Sequence, residues 1–125
     1  MQKIIIDTNF LLVPLQFRVD IFGEIERICN FNYKIYIFDR TIDELKGIIH
    51  LQASKHKKAA QFALKLIKLK NMGILKSKQK NVDSAILHCQ SDVVVATLDI
   101  QLKKKLLKKG NPVIILRQKK YLQLI

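Results

Sequence analysis

The chain has 125 residues, of which 49% are hydrophobic, so we expect one domain with a core of its own and exclude intrinsic disorder. With 23 lysines and arginines against 10 aspartates and glutamates, the net charge of +13 favours a polyanionic partner over a merely solvated surface. No apolar run approaches the roughly 20 residues of a membrane span, so we expect a cytoplasmic protein with no membrane partner.

In the first half of the chain, apolar runs alternate with helical patterns. Residues 3–6 are short and apolar enough for a buried strand, and residues 34–38 (KIYIF) form a second such run. Residues 19–29 carry apolar side chains at helical spacing, with acids on the other face. The next helix is predicted to begin at Thr41, with Glu44 three residues later as in a capping box.

The second half of the chain continues the alternation. Residues 55–70 have the pattern of a long amphipathic helix with lysines on its outer face. Asn81 is the predicted N-cap of the next helix, and residues 100–109 form a basic helix that stops at Gly110. Three more short apolar runs are predicted to be strands: residues 74–75, 93–96 and 113–116. The tail after residue 116 has no clear assignment.

Continuous apolar strands that alternate with helices are typical of a parallel sheet covered on both faces. We therefore predict an α/β fold of three layers, with a central parallel sheet of four or five strands between helices. In such sheets, ligand sites form outside the carboxyl ends of the strands. The residues that follow each strand are accordingly the first candidates for a functional site.

Four carboxylates come from segments that meet at this edge. Asp7 directly follows the first strand, and Asp99 follows the valine-rich strand. Glu44 and Asp83 lie in the first turns of two predicted helices. Residues 45–82 contain no acid, and none follows Asp99, so these carboxylates stand out against a basic background.

Carboxylates that share one edge cannot all ionise cheaply without a cation. The natural counterion for oxygen ligands is a hard ion such as Mg²⁺ or Mn²⁺. These ions lower the pKa of water and stabilise the charge that develops in phosphodiester hydrolysis. An acidic, metal-binding cleft on a basic surface is therefore typical of a nuclease.

Each acid also has an ordinary structural interpretation. A turn would also account for Asp7, the capping box for Glu44, and the dipole of its helix for Asp83. Asp99 is explained by the N-cap of the basic helix. Asp43 is the fallback for the role of Glu44. The residue pattern alone is therefore compatible with a metal site and with these structural roles.

Four motifs in this order and spacing resemble those of the PIN-domain ribonucleases: DTN (7–9), IDEL (42–45), VDSAIL (82–87) and VATLD (95–99). The resemblance covers essentially the whole chain. The segment DTNFLLVPLQFRVDIFGEI and the basic ending LKKKLLKKGNPVIILR are most similar to one branch of that family. This branch contains the eukaryotic small-subunit rRNA-processing PIN endonuclease and its archaeal counterparts.

The resemblance implies a PIN-like fold over residues 1–125 and RNA cleavage with one or two Mg²⁺ or Mn²⁺ ions. The catalytic and metal-binding acids of the family match, by position, Asp7, Glu44, Asp83 and Asp99. The polar residues that support the family's site match Thr8, Asn9 and Thr97. The chain departs from the family at Ser84, where a second Asp is frequent, and at Gln101, where another acid is frequent nearby.

Three functions follow from these observations. The first is a metal-dependent endoribonuclease acting on small-subunit pre-rRNA in ribosome biogenesis, with proteins of the pre-ribosomal particle as further partners. The second is a VapC-type toxin that cuts tRNA or rRNA and pairs with an antitoxin or forms a homodimer. The third, kept open by Ser84 and Gln101, is a weakly catalytic or non-catalytic scaffold that binds RNA.

Basic side chains outside the acidic cleft are candidates for binding RNA phosphates, against the alternative of a solvated helix face. They are Lys103, Lys104, Lys105, Lys108, Arg117, Lys55, Lys57 and Lys58. The aromatic residues between positions 31 and 38 are interpreted as core. Among them, Tyr33 is the candidate for stacking on a base.

Overall fold

The computed structural model describes residues 1–51 and 55–125. Its strands are β1 (Gln2–Ile6), β2 (Tyr33–Phe38), β3 (Gly73–Leu75), β4 (Val94–Ala96), β5 (Val113–Arg117) and β6 (Tyr121–Leu124). Its helices are α1 (Val13–Gln16), α2 (Ile21–Ile28), α3 (Asp39–His50), α4 (Lys57–Leu69), α5 (Val82–Leu87) and α6 (Ile100–Lys109). A 3₁₀ turn, Asn9–Leu12, joins β1 to α1.

The strands form one sheet in the order β3-β2-β1-β4-β5-β6. The first five strands are parallel to their neighbours, which confirms the predicted α/β fold with a central parallel sheet. The tail that had no assignment adds β6, which runs antiparallel to β5. The carboxyl ends of the parallel strands all lie at one edge, where the candidate acids follow β1 and β4.

Helices pack on both faces of the sheet. On one face, Ile4 and Ile6 of β1 pack with buried residues of α2, α3 and α4, such as Ile25 and Leu45. On the other face, β1, β4 and β5 contribute to a second core with α5 and α6. No helix in the described ranges is long and apolar enough to cross a membrane.

Helix boundaries follow local signals where those signals are strong. The α6 helix spans Ile100–Lys109 as predicted, and Gly110 ends it with φ of 108°, a left-handed conformation that glycine adopts at little cost. Asn81 caps α5, because its side-chain oxygen accepts the N–H of Ser84 at 2.9 Å.

The capping box predicted at Thr41 is wrong. The α3 helix begins two residues earlier, at Asp39, so Thr41 lies inside its first turn and is fully buried. Its hydroxyl contacts Thr8 instead of capping the helix. Glu44 therefore belongs to the second turn of α3, where its side chain is exposed.

The outer edge of β6 is covered by an ion pair from α2. Glu24 Oε1 accepts the N–H of Leu122 at 2.9 Å, and Arg27 Nη2 donates to the Leu122 carbonyl at 3.1 Å. The two side chains also bind each other at 2.9 Å. Because a bare strand edge is a template for pairing with another chain, this ion pair protects β6 from self-association.

Replacing Glu24 by alanine is expected to expose this edge and to produce concentration-dependent self-association, with a loss of a few degrees at most in Tm. Light scattering after size exclusion measures the mass. Glu26→Ala, an exposed acid on the same helix, is the matched control and should behave like wild type. A Glu24→Ala protein whose mass stays constant with concentration contradicts the protective role.

Candidate active site

Asp7 lies at the carboxyl end of β1 and is almost completely buried, with 5% of its surface exposed. Its backbone N–H donates to Ala96 of β4 at 2.9 Å, which fixes the residue between the two central strands. The carboxylate accepts two hydrogen bonds of 2.8 Å, from the Thr97 hydroxyl to Oδ2 and from the Thr8 N–H to Oδ1. Its position and orientation are therefore set by both strands.

Thr97 joins Asp7 to Asp99. While its hydroxyl donates to Asp7, the same oxygen accepts the backbone N–H of Asp99 at 3.1 Å. Asp99 is also the N-cap of α6, since its Oδ1 accepts the N–H groups of Gln101 and Leu102 at 2.9 and 3.1 Å. Neither of these bonds uses Oδ2. The capping interpretation of Asp99 is thus correct, and it leaves one carboxylate oxygen for other contacts.

Thr8 joins the same site to α3. Its buried hydroxyl donates to the hydroxyl of Thr41 at 3.2 Å, which holds the first turn of α3 against the end of β1. Glu44 follows Thr41 by three residues, so it lies on the same side of this helix. Asn9, the third residue of the DTN motif, is exposed and begins the 3₁₀ turn.

Burial and two neighbouring acids perturb the titration of Asp7. Burial raises the pKa of Asp7 to about 6, against its ordinary value of 3.8. Hydrogen bonds from Thr97 and Thr8 oppose this rise, whereas the negative charges of Asp83 and Glu44 add to it. Asp83 and Glu44 therefore lie close enough to act on Asp7, although they come from α5 and α3.

The carboxylates do not form a closed ligand set by themselves. Within the described ranges, no three carboxylate, imidazole or thiol side chains are grouped so that they could hold a metal ion as they stand. Asp7 is held in place, whereas Glu44, Asp83 and Asp99 have exposed side chains. Asp7 is thus fixed, Asp99 is held through one carboxylate oxygen, and Glu44 and Asp83 are exposed acids that act on Asp7.

The motifs and this topology agree with a family match that spans almost the whole sequence. Residues 4–119 match the family described as "PIN like domain". The chain belongs to the PIN-domain family. The α/β sheet described above agrees with this membership.

Two known proteins are similar to this PIN domain over nearly its full length. Ribonuclease VapC4 of Methanocaldococcus jannaschii is 35% identical over 127 residues, which cover 99% of this chain and 97% of the relative. A solved structure titled "Structure of the PIN domain endonuclease Utp24" superposes with a TM-score of 0.77. It covers 98% of this chain and 90% of its own, and at 24% identity it supports the fold alone.

The basic residues predicted to bind RNA lie in three places on this PIN domain. Lys103 follows Asp99 by one turn of α6 and is half-buried, whereas Lys104, Lys105 and Lys108 are exposed further along the helix. Arg117 ends β5 at the same sheet edge as the acids, and its Nε donates to Gln123 at 2.7 Å. The exposed residues Lys55, Lys57 and Lys58 lie at or before the start of α4.

One residue of the site was missed by sequence reasoning. Thr41 was interpreted as a cap, but it serves as the α3 partner of Thr8. The sequence shows only a threonine at this position, and threonine is common both at the start of a helix and in a buried pair of hydroxyl groups. Only the packing of α3 against the end of β1 distinguishes the two roles.

Proposed function

We propose that this PIN domain is a metal-dependent endoribonuclease that hydrolyses RNA phosphodiester bonds. The observation that carries the proposal is the buried Asp7 carboxylate, oriented by Thr97 and Thr8 at the carboxyl edge of the sheet and acted on by two more acids. An ionised carboxylate in such surroundings is stabilised by a cation. The near-full-length identity to a protein named a ribonuclease supports the same activity.

The donor set fits Mg²⁺ or Mn²⁺, because every candidate ligand is a carboxylate oxygen. Asp7, Glu44, Asp83 and Asp99 would hold one or two such ions, Asp99 through the Oδ2 that its cap leaves free and Glu44 and Asp83 through exposed side chains. A bound divalent ion supplies Lewis acidity, which lowers the pKa of water and stabilises negative charge on phosphate oxygens.

The protein's own residues prepare this chemistry. Thr97 and Thr8 hold the two oxygens of Asp7 in fixed directions, so Asp7 has little freedom to lose when it binds a ligand. Asp99 keeps Oδ2 outside its capping bonds. Arg117 at the same edge and Lys103 one turn along α6 bind the RNA backbone beside the reacting phosphate.

Two biological settings fit this activity. The 35% identity to ribonuclease VapC4 favours a VapC-type toxin, whose partner is a small antitoxin protein and whose substrate is tRNA or rRNA. The alternative of small-subunit pre-rRNA processing is supported by the sequence motifs, because the similarity to the Utp24 structure supports only the fold. Growth arrest on expression, relieved by a co-expressed neighbouring gene, supports the toxin and argues against the processing enzyme.

Incubation of the purified protein with a 5′-labelled small-subunit pre-rRNA fragment and with tRNA tests the activity. With Mn²⁺ we expect discrete cuts that leave a 3′-hydroxyl, and with EDTA no cuts. Products that end in a 2′,3′-cyclic phosphate and persist in EDTA would instead indicate attack by the RNA's own 2′-hydroxyl. RNA that shifts in a gel but is never cut would favour the non-catalytic scaffold.

A further inference from the structure

Part of the sheet carries exposed side chains on the α5 and α6 side. Lys3 at the start of β1 and Lys34 at the start of β2 point to this side and are exposed. Tyr36 follows on β2 and is only half-buried at the rim of the second core. We call Lys3, Lys34, Tyr36 and the neighbouring Gly73 the Tyr36 face.

The aromatic ring of Tyr36 lies close against the neighbouring strand. Tyr36 pairs with Gly73 of β3, and a Cβ atom at Gly73 would come within 2.3 Å of the ring. Only glycine therefore permits this position of the ring. The amino groups of Lys3 and Lys34 each lie 5.5 Å from the ring centroid, within the range of a cation–π contact.

The Tyr36 face continues into a basic groove of about 340 Å³ between the end of β3 and α5. Lys3 lines the groove together with Lys76, Lys78 and His88, and no Asp or Glu is among its described lining residues. The groove extends toward the active edge. Its lining includes Leu75, at the carboxyl end of β3, and Ala85 of α5, the helix that carries Asp83.

We propose that the Tyr36 face and this groove bind a single-stranded segment of the RNA, with a base stacked on Tyr36 and phosphates bound by Lys3, Lys34, Lys76 and Lys78. The inference rests on the proposed function, because it identifies where the substrate of that site lies. A ring flanked by lysines provides both elements of single-strand binding, an aromatic surface for bases and cations for the backbone. The acid-free lining complements the charge of a polyanion.

This assignment replaces Tyr33 as the base-stacking candidate. Tyr33 lies on the opposite face of the sheet, where it packs against the first core and makes an edge-to-face contact with Phe31 at 6.4 Å. The ordinary alternative for Tyr36 is structural, in which the ring merely covers the backbone of Gly73. The two interpretations differ in how the protein responds to bases as opposed to phosphates.

The sequence has no tryptophan, so Tyr36→Trp introduces a single fluorophore at the Tyr36 face. In EDTA, we expect a 12-mer of oligouridylate to quench its fluorescence saturably, and inorganic polyphosphate of equal charge to leave it nearly unchanged. Leu69→Trp, at an exposed position at the end of α4 on the opposite face, is the control and should not be quenched. Equal quenching by polyphosphate, or none by either polymer, overturns the stacking role.

Affinity measurements provide a second test that does not depend on one variant folding. Tyr36→Leu keeps an apolar cover on Gly73 and should weaken oligouridylate binding about tenfold, whereas Tyr36→Phe keeps the ring and the affinity. Lys3→Gln combined with Lys34→Gln should weaken binding and reduce the salt slope by about 1.4. The control, Lys65→Gln with Lys68→Gln on α4, removes the same charge from the opposite face and should change affinity less.

The outcomes distinguish the base-stacking proposal from the proposed endoribonuclease activity. A protein that cuts RNA with Mn²⁺ but gives equal affinity for Tyr36→Leu and wild type refutes the stacking platform and leaves the endoribonuclease intact. Saturable quenching without any metal-dependent cleavage supports the platform and contradicts the endoribonuclease. A loss of affinity in Tyr36→Phe as large as in Tyr36→Leu assigns binding to the hydroxyl group and overturns stacking.

Discussion

Replacing Asp99 by asparagine is expected to lower Mn²⁺-dependent RNA cleavage by roughly 100-fold or more, because a lost metal ligand forfeits several kcal/mol of transition-state stabilisation. The fold should be unaffected. Asparagine caps helices as well as aspartate does, so it can still accept the N–H groups of Gln101 and Leu102 at the start of α6. The substitution therefore removes the charge and keeps the cap.

RNA affinity in EDTA should stay at the wild-type level or rise slightly in Asp99→Asn, since the change removes a negative charge from a site that faces phosphates. Single-turnover cleavage and a binding titration on the same preparation measure both quantities. Asp20→Asn is the matched control, because Asp20 caps α2 in the same way, with its Oδ1 on the N–H of Gly23 at 3.1 Å. Wild-type cleavage by Asp99→Asn would refute the proposed site.

Asp99 also shows why the sequence could predict so much of this molecule. Its cap and the glycine at position 110 are local signals, and they define the helix between them to the residue. Residues 4–6 of β1 and the strand β4 were predictable for a similar reason, since residues buried on both faces of a sheet form a continuous apolar run. The carboxyl-edge rule then placed Asp7 and Asp99 together without any knowledge of tertiary contacts.

The features that could not be predicted depend on contacts between distant residues. The β5–β6 hairpin turns through Gln118 and Lys119, which have φ of 53° and 56° where glycine or asparagine is usual, so no turn signal marks it. Thr41 was misinterpreted because its role depends on Thr8, which lies on another element. The burial of Asp7 likewise follows from the packing of β1 against β4 and α3, although its position after β1 was clear.

The burial of Asp7 leads to the second large expected effect, on stability. A carboxyl whose pKa is about 6 in the native protein and 3.8 ordinarily binds its proton more tightly when folded. Its contribution to the free energy of unfolding is fully present below pH 3.8 and is lost as the pH rises through 6. The two pKa values differ by about 2.2, which corresponds to a loss of about 3 kcal/mol in the free energy of unfolding of the ion-free protein by pH 8.

Asp7→Asn should abolish this loss, because asparagine stays neutral at every pH. Its amide oxygen can accept the Thr8 N–H, and its amide nitrogen can donate to the Thr97 hydroxyl oxygen, which also accepts the Asp99 N–H. In EDTA, we expect the variant to match wild type near pH 4 and to exceed its free energy of unfolding by up to about 3 kcal/mol at pH 8. Urea denaturation at a series of pH values measures the difference.

Mn²⁺ should reverse this order. An ion that binds the ionised carboxylate stabilises only the wild type, so at pH 8 the metal should raise the Tm of wild type and leave that of Asp7→Asn nearly unchanged. Asp92→Asn, an exposed acid away from the site, should follow wild type in both conditions.

A stability difference that is flat between pH 4 and pH 8 would show that Asp7 is not a buried charge. A difference that appears with pH but does not respond to Mn²⁺ would place the metal elsewhere. Since neither measurement requires RNA, the role of Asp7 can be established before any substrate is known.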